Sequence, residues 1–344
     1  VYIHKTPRDA VFFQEEKGTM NDIIIIGAGP IGLACAIEAH KQGLSALVIE
    51  RGCLTNAIYH YPQQMTFFST SDRLEIGGVP FVSVNARPTR AEALEYYRRV
   101  KETFGLRVKQ YTEVYAVHNA ERGFNVETSR GSFLTRYVII AAGFYGIPNL
   151  MHIPGEELPK VSHYYKEAHP FSDTKVVVIG GGNSAVDAAL ETYRKGAEVT
   201  LLVKHSALDA GVKYWVRPDI ENRIAEGSIK TYFNAVPSRI TEESVIAKTG
   251  QGEISIPNDF VLAMTGYQPD FAFLERCGIE TDSVPIKQPR YNAETYETNV
   301  PGLYLAGVVC AGMETGRLFI ENSRSHAVSI INAIQAKRES GVLE

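Results

Sequence analysis

NDIIIIGAGPIGLACAIEAHKQGLSALVIE, residues 21–50, carries the decision about the fold. Four isoleucines, Ile23 to Ile26, form a β-rich run that begins at Asn21. Gly27-Ala-Gly29-Pro30-Ile31-Gly32 then opens a helical run, Leu33 to Gln42, and Gly43 stands where a helix stop belongs. Ser45 to Ile49 is a second β-rich run, closed by Glu50. This is a βαβ unit whose first turn is built of glycines. Gly27 serves the tight turn, Gly29 the approach of backbone to a pyrophosphate, and Gly32 the packing of helix on strand. The helix N-terminus offers open N–H groups and a positive dipole end to phosphates. Glu50, 18 residues beyond Gly32, is placed to accept the hydroxyls of a ribose. A lone glycine motif is weak, and a plain strand–helix turn is its bland reading. Here the strand before, the helix after and the acid at the right distance point to a dinucleotide.

The pattern returns 153 residues later. Lys175 to Ile179 reads as a strand, GGGNSA (Gly180 to Ala185) as the turn, Val186 to Lys195 as the helix and Val199 to Val203 as the next strand. Gly180, Gly182, Asn183 and Ser184 are the candidate contacts, with Ala185 in the permitted place of the third glycine. The position matching Glu50 is Val203, followed by Lys204 and His205. An acid lost and a cation gained suit a ribose 2′-phosphate. The first site therefore reads as FAD and the second as NADPH, although Lys204 could equally be a solvated strand-end lysine. RYVIIAAG (136–143) and DFVLAMTG (259–266) read as buried strands with small-residue exits, where the chain crosses from one nucleotide domain to the other. Ala142 and Gly143 join the FAD set there.

The expected fold class is α/β, with two Rossmann-like dinucleotide-binding domains of the three-layer ββα type, the NADPH domain inserted in the FAD domain. The expected limits are 20–153 and 263–344 for the FAD domain and 154–262 for the NADPH domain. Residues 1–19 read either as an extension, non-native or disordered, or as a short arm packing on a neighbour. Thr89-Arg-Ala-Glu92 reads as a capping box before a helix over Ala91 to Phe104. Gly105 to Gln110, Tyr115 to His118, Gly123 to Thr128 and Ser132 to Ile140 read as smaller antiparallel strands. Val114 is a candidate packing partner for the adenine.

The chain has 344 residues, 44% hydrophobic and 22% charged, with a net charge of −4 from 35 basic and 39 acidic residues. It is long enough for two domains and lacks the basic excess that nucleic-acid binding requires. The apolar run Ile23 to Ile37 is 15 residues, too short to span a bilayer. Cys35, Cys53, Cys277 and Cys310 are too scattered for a CxxC pair or a metal knuckle. No metal site is expected, and scattered thiols point to a reducing cytoplasm.

These residues resemble the low-molecular-weight thioredoxin-reductase-like flavoproteins over essentially all of 20–340. The likeness is closer to the YpdA-type bacillithiol disulfide reductases. It is carried by IYHYPQQMTFFSTSDRLEIGGVPF (58–81), LPKVSHYYKEAHP (158–170), VIGGGNSAVDAAL (178–190), NAETYETN (292–299), LAGVVCAG (305–312) and FIEN (319–322). The resemblance implies an NADPH-dependent, FAD-containing reductase of a small-molecule disulfide, and a homo-oligomer. The FAD set also takes in Arg51, Gly307 and Val308, and the hydroxyl-rich loop Thr66 to Ser71, with Tyr59 and Tyr61, is a candidate to hold flavin or substrate, against a reading of its aromatics as core. Three departures matter. Thioredoxin reductases carry a CxxC that this chain lacks, so a bound flavin would have to meet its acceptor directly. Val308 replaces the Asp of the C-terminal FAD motif. Ile31 stands where many members of the bacillithiol branch have a cysteine.

Cys310, just past the C-terminal FAD turn, is a candidate redox thiol, against a reading as buried core. His163 is a candidate proton donor, against a hinge role. Cys277, in a charged stretch, reads as an incidental surface residue. Flavin monooxygenases share both fingerprints, but their Phe-x-Gly-x-x-x-His-x-x-x-aromatic signature aligned on His163 meets Glu157, Pro159 and Glu167. A ferredoxin or other electron-transfer-partner reductase would want a basic docking patch, which the mild acidity does not favour.

Overall fold

Four isoleucines in succession need apolar cover on both sides of a strand. They receive it in β1 (Asn21–Ile26) of the computed structural model, which describes residues 20–340. Side chains alternate along a strand, so Ile23 and Ile25 face one layer while Ile24 and Ile26 face the other. All four are buried. The first pair packs with Leu33 and Ile37 of α1 (Pro30–Lys41) and with Ile330, Ile331 and Ile334 from the last helix. The second pair meets Phe273, Leu303 and Leu305. Each isoleucine so buried stabilises the fold by roughly 1.5–3 kcal/mol.

α1 begins at Pro30, three residues before the apolar run that announces it. Proline at a first helical position costs nothing, because its missing N–H has no intrahelical partner to lose. β2 (Ala46–Ile49), the short helices α2 (Asn56–His60) and α3 (Ser71–Leu74), and α4 (Arg90–Thr103) follow. The capping box before α4 is present: Thr89 Oγ1 accepts the Glu92 N–H, and Glu92 Oε2 accepts the Thr89 N–H at 2.7 Å. That backbone bond, with further donors, holds the Glu92 carboxyl down at about 2.

β3 (Val108–Lys109), β4 (Val114–Ala120), β5 (Gly123–Thr128) and β6 (Gly131–Ile140) extend the sheet in the order β3-β2-β1-β6-β5-β4. The expectation of four antiparallel strands is corrected at two of them. Segment 105–110 keeps only a two-residue strand, β3, and that strand pairs parallel with β2. β6 is central, antiparallel to β5 over its first half and parallel to β1 over its second.

β7 (Ile147–Pro148) and β8 (Val161–Ser162) lead into the second unit. There β9 (Lys175–Ile179), α5 (Asn183–Arg194), β10 (Glu198–Val203), α6 (Arg217–Ala225) and β11 (Lys230–Phe233) repeat the β–α–β order. β12 (Val236–Ile240), β13 (Ser244–Thr249) and β14 (Gly252–Pro257) form an antiparallel sheet, and β15 (Phe260–Ala263) returns to the parallel one. The parallel order is β11-β10-β9-β15-β8. β16 (Tyr267–Gln268) then pairs antiparallel with β7, Tyr267 opposite Pro148, so the outward and return crossings lie side by side.

α7 (Phe271–Arg276), β17 (Leu303–Leu305), α8 (Ile320–Ser323) and α9 (His326–Glu339) finish the chain. β17 pairs parallel with β6, which returns the C-terminal segment to the first sheet. The reading of residues 1–19 lies outside the described residues. Among the described residues no helix is long and apolar enough to cross a membrane.

Candidate functional site

The three glycine roles in the first turn are separable in space. Gly27 has φ +107°, donates its N–H to Ile49 O at 2.8 Å, and a Cβ on it would stand 2.5 Å from Ala141 O. A Cβ on Gly32 would stand 1.9 Å from Gly27 O, so the helix closes on the turn only because glycine is there. A Cβ on Gly29 would meet no atom within 4 Å. Gly29 is also the N-cap of α1, and no side chain caps that helix. Open space beside an uncapped helix N-terminus is the geometry that a pyrophosphate fills.

Glu50 is buried and its carboxylate is held from two sides. Oε2 accepts the Ala28 N–H at 2.8 Å and Oε1 accepts the Gly52 N–H at 2.9 Å. The first bond ties the acid to the glycine turn and the second to the loop that follows it. The structure brings Gly27, Glu50, Arg51, Val114, Ala142 and Gly143 to one cleft, which Gln268 and Asp270 also line. Arg51 crosses toward Gly146, where any side chain would collide with its guanidinium. Ile31 packs under the C-terminal turn: a Cβ on Gly307 would lie 3.2 Å from Ile31 Cγ1. Val308 sits in the short 3-10 turn that follows.

Tyr61 and Thr66 do not line that cleft. Tyr61 stands edge-on to Tyr145, ring centres 4.8 Å apart, and burial pushes its hydroxyl up to about 12. Thr66 pairs through an isolated bridge with Thr89, the α4 cap.

The second turn repeats the first. Gly180 has φ +139°, donates to Leu202 O at 2.9 Å, and a Cβ on it would stand 2.5 Å from Met264 O. Each fingerprint glycine is thus pressed against the small-residue strand exit expected beside it, Ala141 in one case and Met264 in the other. Gly182 caps α5, Ala185 is buried beneath the turn and Ser184 is exposed. The Asn183 side chain works locally: Nδ2 donates to Gly211 O at 2.9 Å and Oδ1 accepts the Lys213 N–H at 2.8 Å. Lys204 and His205 are exposed just past β10.

Four cysteines are free. Cys310 is fully buried beside Ile24 and Leu305, and that burial raises its thiol well above the ordinary range. A thiol so placed matches the buried-core reading of Cys310. Burial also pushes Cys35 up to about 12. Cys277 is not a surface residue as its charged neighbours suggest. It ends α7, buried with Leu274 and Phe273, because positions three and four apart share a helix face. His163 Nε2 lies 3.3 Å from Glu156 Oε1, and its carbonyl accepts the Tyr267 hydroxyl at 2.8 Å.

Sequence reasoning missed two clusters. Tyr145 and Tyr267 pack at the paired crossings, ring centres 4.4 Å apart, and the Tyr164 hydroxyl donates to Tyr145 O at 3.0 Å. His326, at the start of α9, is buried, stacks on Tyr296 with ring centres 4.1 Å apart, and accepts the Gly307 N–H at Nδ1 (3.2 Å). No local pattern marks these residues, since each acts through a partner distant in sequence. Among the described residues, no group of three or more His, Cys, Asp or Glu side chains could hold a metal ion.

Comparison with known proteins agrees with this geometry. Residues 24–307 match a family described as pyridine nucleotide-disulphide oxidoreductase. The chain is 48% identical over 319 residues to bacilliredoxin reductase Bdr of Bacillus subtilis, covering 92% of this chain and 98% of that protein. The solved structure of bacillithiol disulfide reductase Bdr (YpdA) from Bacillus cereus superposes with a TM-score of 0.90 at 42% identity, covering 93% of this chain and 100% of that one. The counterpart from Staphylococcus aureus gives a TM-score of 0.90 at 42% identity, covering 93% and 99%.

Proposed function

The chain belongs to the pyridine nucleotide-disulphide oxidoreductase family, and from that premise we propose that it is an NADPH-dependent, FAD-containing reductase of bacillithiol disulfide. The observation that carries the reading is the pair of glycine turns with opposite flanks. A buried acid, Glu50, closes the first, and exposed Lys204 and His205 close the second. The solved bacillithiol disulfide reductases of Bacillus cereus and Staphylococcus aureus, 42% identical across 93% of this chain, support a disulfide as acceptor over oxygen or ferredoxin. Residues 20–153 with 263–344 would form the FAD domain and 154–262 the NADPH domain. The expected setting is the cytoplasm and the expected state a homo-oligomer.

The residues present fit both groups. The open space at Gly29 would take the FAD pyrophosphate, Glu50, held by the Ala28 and Gly52 N–H groups, would accept the ribose hydroxyls, and Val114 and Arg51 would flank the adenine. At the second turn Gly180 to Ala185 would hold the NADPH pyrophosphate and Lys204 the 2′-phosphate. FAD, when bound, supplies the two-electron relay between nicotinamide and acceptor. The overall balance is NADPH, one proton and one disulfide giving NADP⁺ and two thiols. No protein CxxC takes part, so the chain's own work is to place nucleotide and disulfide in turn and to keep water from the buried groups.

Anaerobic NADPH oxidation by the purified yellow protein tests this, with bacillithiol disulfide, glutathione disulfide and ferredoxin added separately. Acceleration by bacillithiol disulfide alone is expected. No acceleration by any disulfide would overturn the reading, and substrate hydroxylation in a parallel aerobic assay would replace it with a monooxygenase.

A further inference from the structure

The two glycine turns differ in one respect that matters for charge. The second glycine of each is a helix N-cap, Gly29 for α1 and Gly182 for α5. Its bare backbone is what lets a pyrophosphate approach. A Cβ on Gly29 would meet nothing within 4 Å, whereas a Cβ on Gly182 would stand 3.1 Å from Asp209 Oδ2. Asp209 Oδ1 lies 3.6 Å from the same point on Gly181. A carboxylate therefore stands on the approach path of the second turn.

The surrounding bonds fix the backbone that carries it. The Asp209 N–H donates to Gly181 O at 3.0 Å, and the Val212 N–H donates to Asp209 O at 3.1 Å. Arg217 Nη2 also donates to that carbonyl. Asn183, a residue of the turn itself, grips Gly211 O and the Lys213 N–H. Lys213 does not neutralise Asp209, because its ammonium pairs with Asp187 Oδ2 at 2.7 Å. Backbone and neighbours thus present an anion to the place where two phosphate charges would arrive.

We propose that Asp209 is a built-in competitor for the diphosphate at the second turn, keeping the nicotinamide nucleotide exchangeable. The inference rests on the assignment of that turn to the nicotinamide nucleotide. A hydride donor must leave once it is oxidised, whereas a flavin dinucleotide works while it stays bound. The open first turn and the guarded second turn match those two needs. Like charges a few ångströms apart repel, and in a solvent-exposed site the effect is modest and screened by salt.

Calorimetric titration of the flavin-loaded protein with NADP⁺, which does not reduce the flavin, tests the proposal. Asp209→Asn should bind NADP⁺ about tenfold more tightly than the unaltered chain at about 50 mM salt. Asp209→Glu, which keeps the charge, should stay within about twofold, and at about 0.5 M salt the advantage of Asn should shrink to about twofold. Equal affinity for all three proteins, or an advantage that ignores salt, overturns the role of Asp209 and leaves the nucleotide site standing. Failure of all three to bind NADP⁺ overturns the site assignment and the proposal together.

Discussion

The guanidinium of Arg87 lies 4.2 Å from the centre of the Trp215 ring. Arg87 precedes α4 of the first unit and Trp215 precedes α6 of the second, so the pair joins the two units away from their sheets. Phe68 adds a tilted ring contact at 5.3 Å, and Arg87 Nε donates to Phe68 O at 3.0 Å, which fixes the cation over the indole. This half-buried cation–π pair contributes about 1 kcal/mol. Trp215 is the single tryptophan of the chain, so tryptophan fluorescence reports on this one site. Arg87→Ala should shift the emission to longer wavelength as the ring gains water, with a loss of stability of about 1 kcal/mol or less. An emission spectrum that does not change would show that the contact does not persist in solution.

The two glycines that flank Pro30 and Ile31 should fail in different ways. A methyl on Gly32 meets the Gly27 carbonyl, which is backbone and cannot rotate away. Gly32→Ala should therefore cost about 3 kcal/mol or more and yield little folded protein. A methyl on Gly29 meets open space at φ −71°, a conformation that alanine adopts freely. Gly29→Ala should keep its thermal midpoint within a few degrees when both proteins are stripped of flavin. It should nonetheless hold FAD about tenfold more weakly, because the methyl occupies the pyrophosphate approach. Absorbance of bound flavin per chain after gel filtration, read beside thermal melts, separates the two failures. Equal flavin retention in Gly29→Ala and the unaltered chain would mean that the phosphates lie elsewhere.

What could be read from the sequence follows from the range of the interactions involved. Gly27, Gly29, Gly32 and Glu50 were legible because their roles are set within one βαβ unit, where spacing fixes geometry. The starts of α1 and α5 were less so. Pro30 and Asn183 lie in first turns where helix N–H groups lack intrahelical partners, and apolar periodicity begins only later. Cys277 was misplaced for a related reason: its immediate neighbours are charged, yet its helix face is shared with Phe273 and Leu274. His326, Asp209 and the Arg87–Trp215 pair left no local trace. Each acquires its role from a residue brought close only by the fold.

His326 offers a pH test with a definite sign. Burial holds its pKa down to about 4 from an ordinary 6.5. Its Nδ1 accepts a hydrogen bond, which a protonated ring cannot do. Between those values the unfolded chain takes up a proton that the folded chain refuses, so stability falls as pH drops from about 6.5 toward 4. The full span is worth roughly 3 kcal/mol. His326→Gln cannot titrate and should lose less stability between pH 7 and pH 5 than the unaltered chain, whatever its starting value. Denaturant midpoints at the two pH values give the comparison. Parallel slopes for both proteins would remove His326 as the source of the acid sensitivity.

Lys204 decides whether the second turn has been given the right coenzyme. It stands exposed just past β10, and the residue before it, Val203, is buried where the first unit has its acid. A free 2′-hydroxyl gains nothing from a cation, but a 2′-phosphate gains a charge-assisted contact of about 1.5–3 kcal/mol. Lys204→Glu replaces that attraction with repulsion against the phosphate alone. The KM for NADPH should rise about tenfold or more while that for NADH changes little, so the ratio of the two kcat/KM values narrows. The flavin spectrum should be unaltered, since Glu50 and its turn are untouched. The sharper contrast is with Asp209→Asn: that substitution acts on the diphosphate, common to both coenzymes, and should tighten NADPH and NADH alike. A Lys204→Glu protein with unchanged preference would place the 2′-phosphate away from β10 and return the choice between NADPH and NADH to His205 or to groups beyond it.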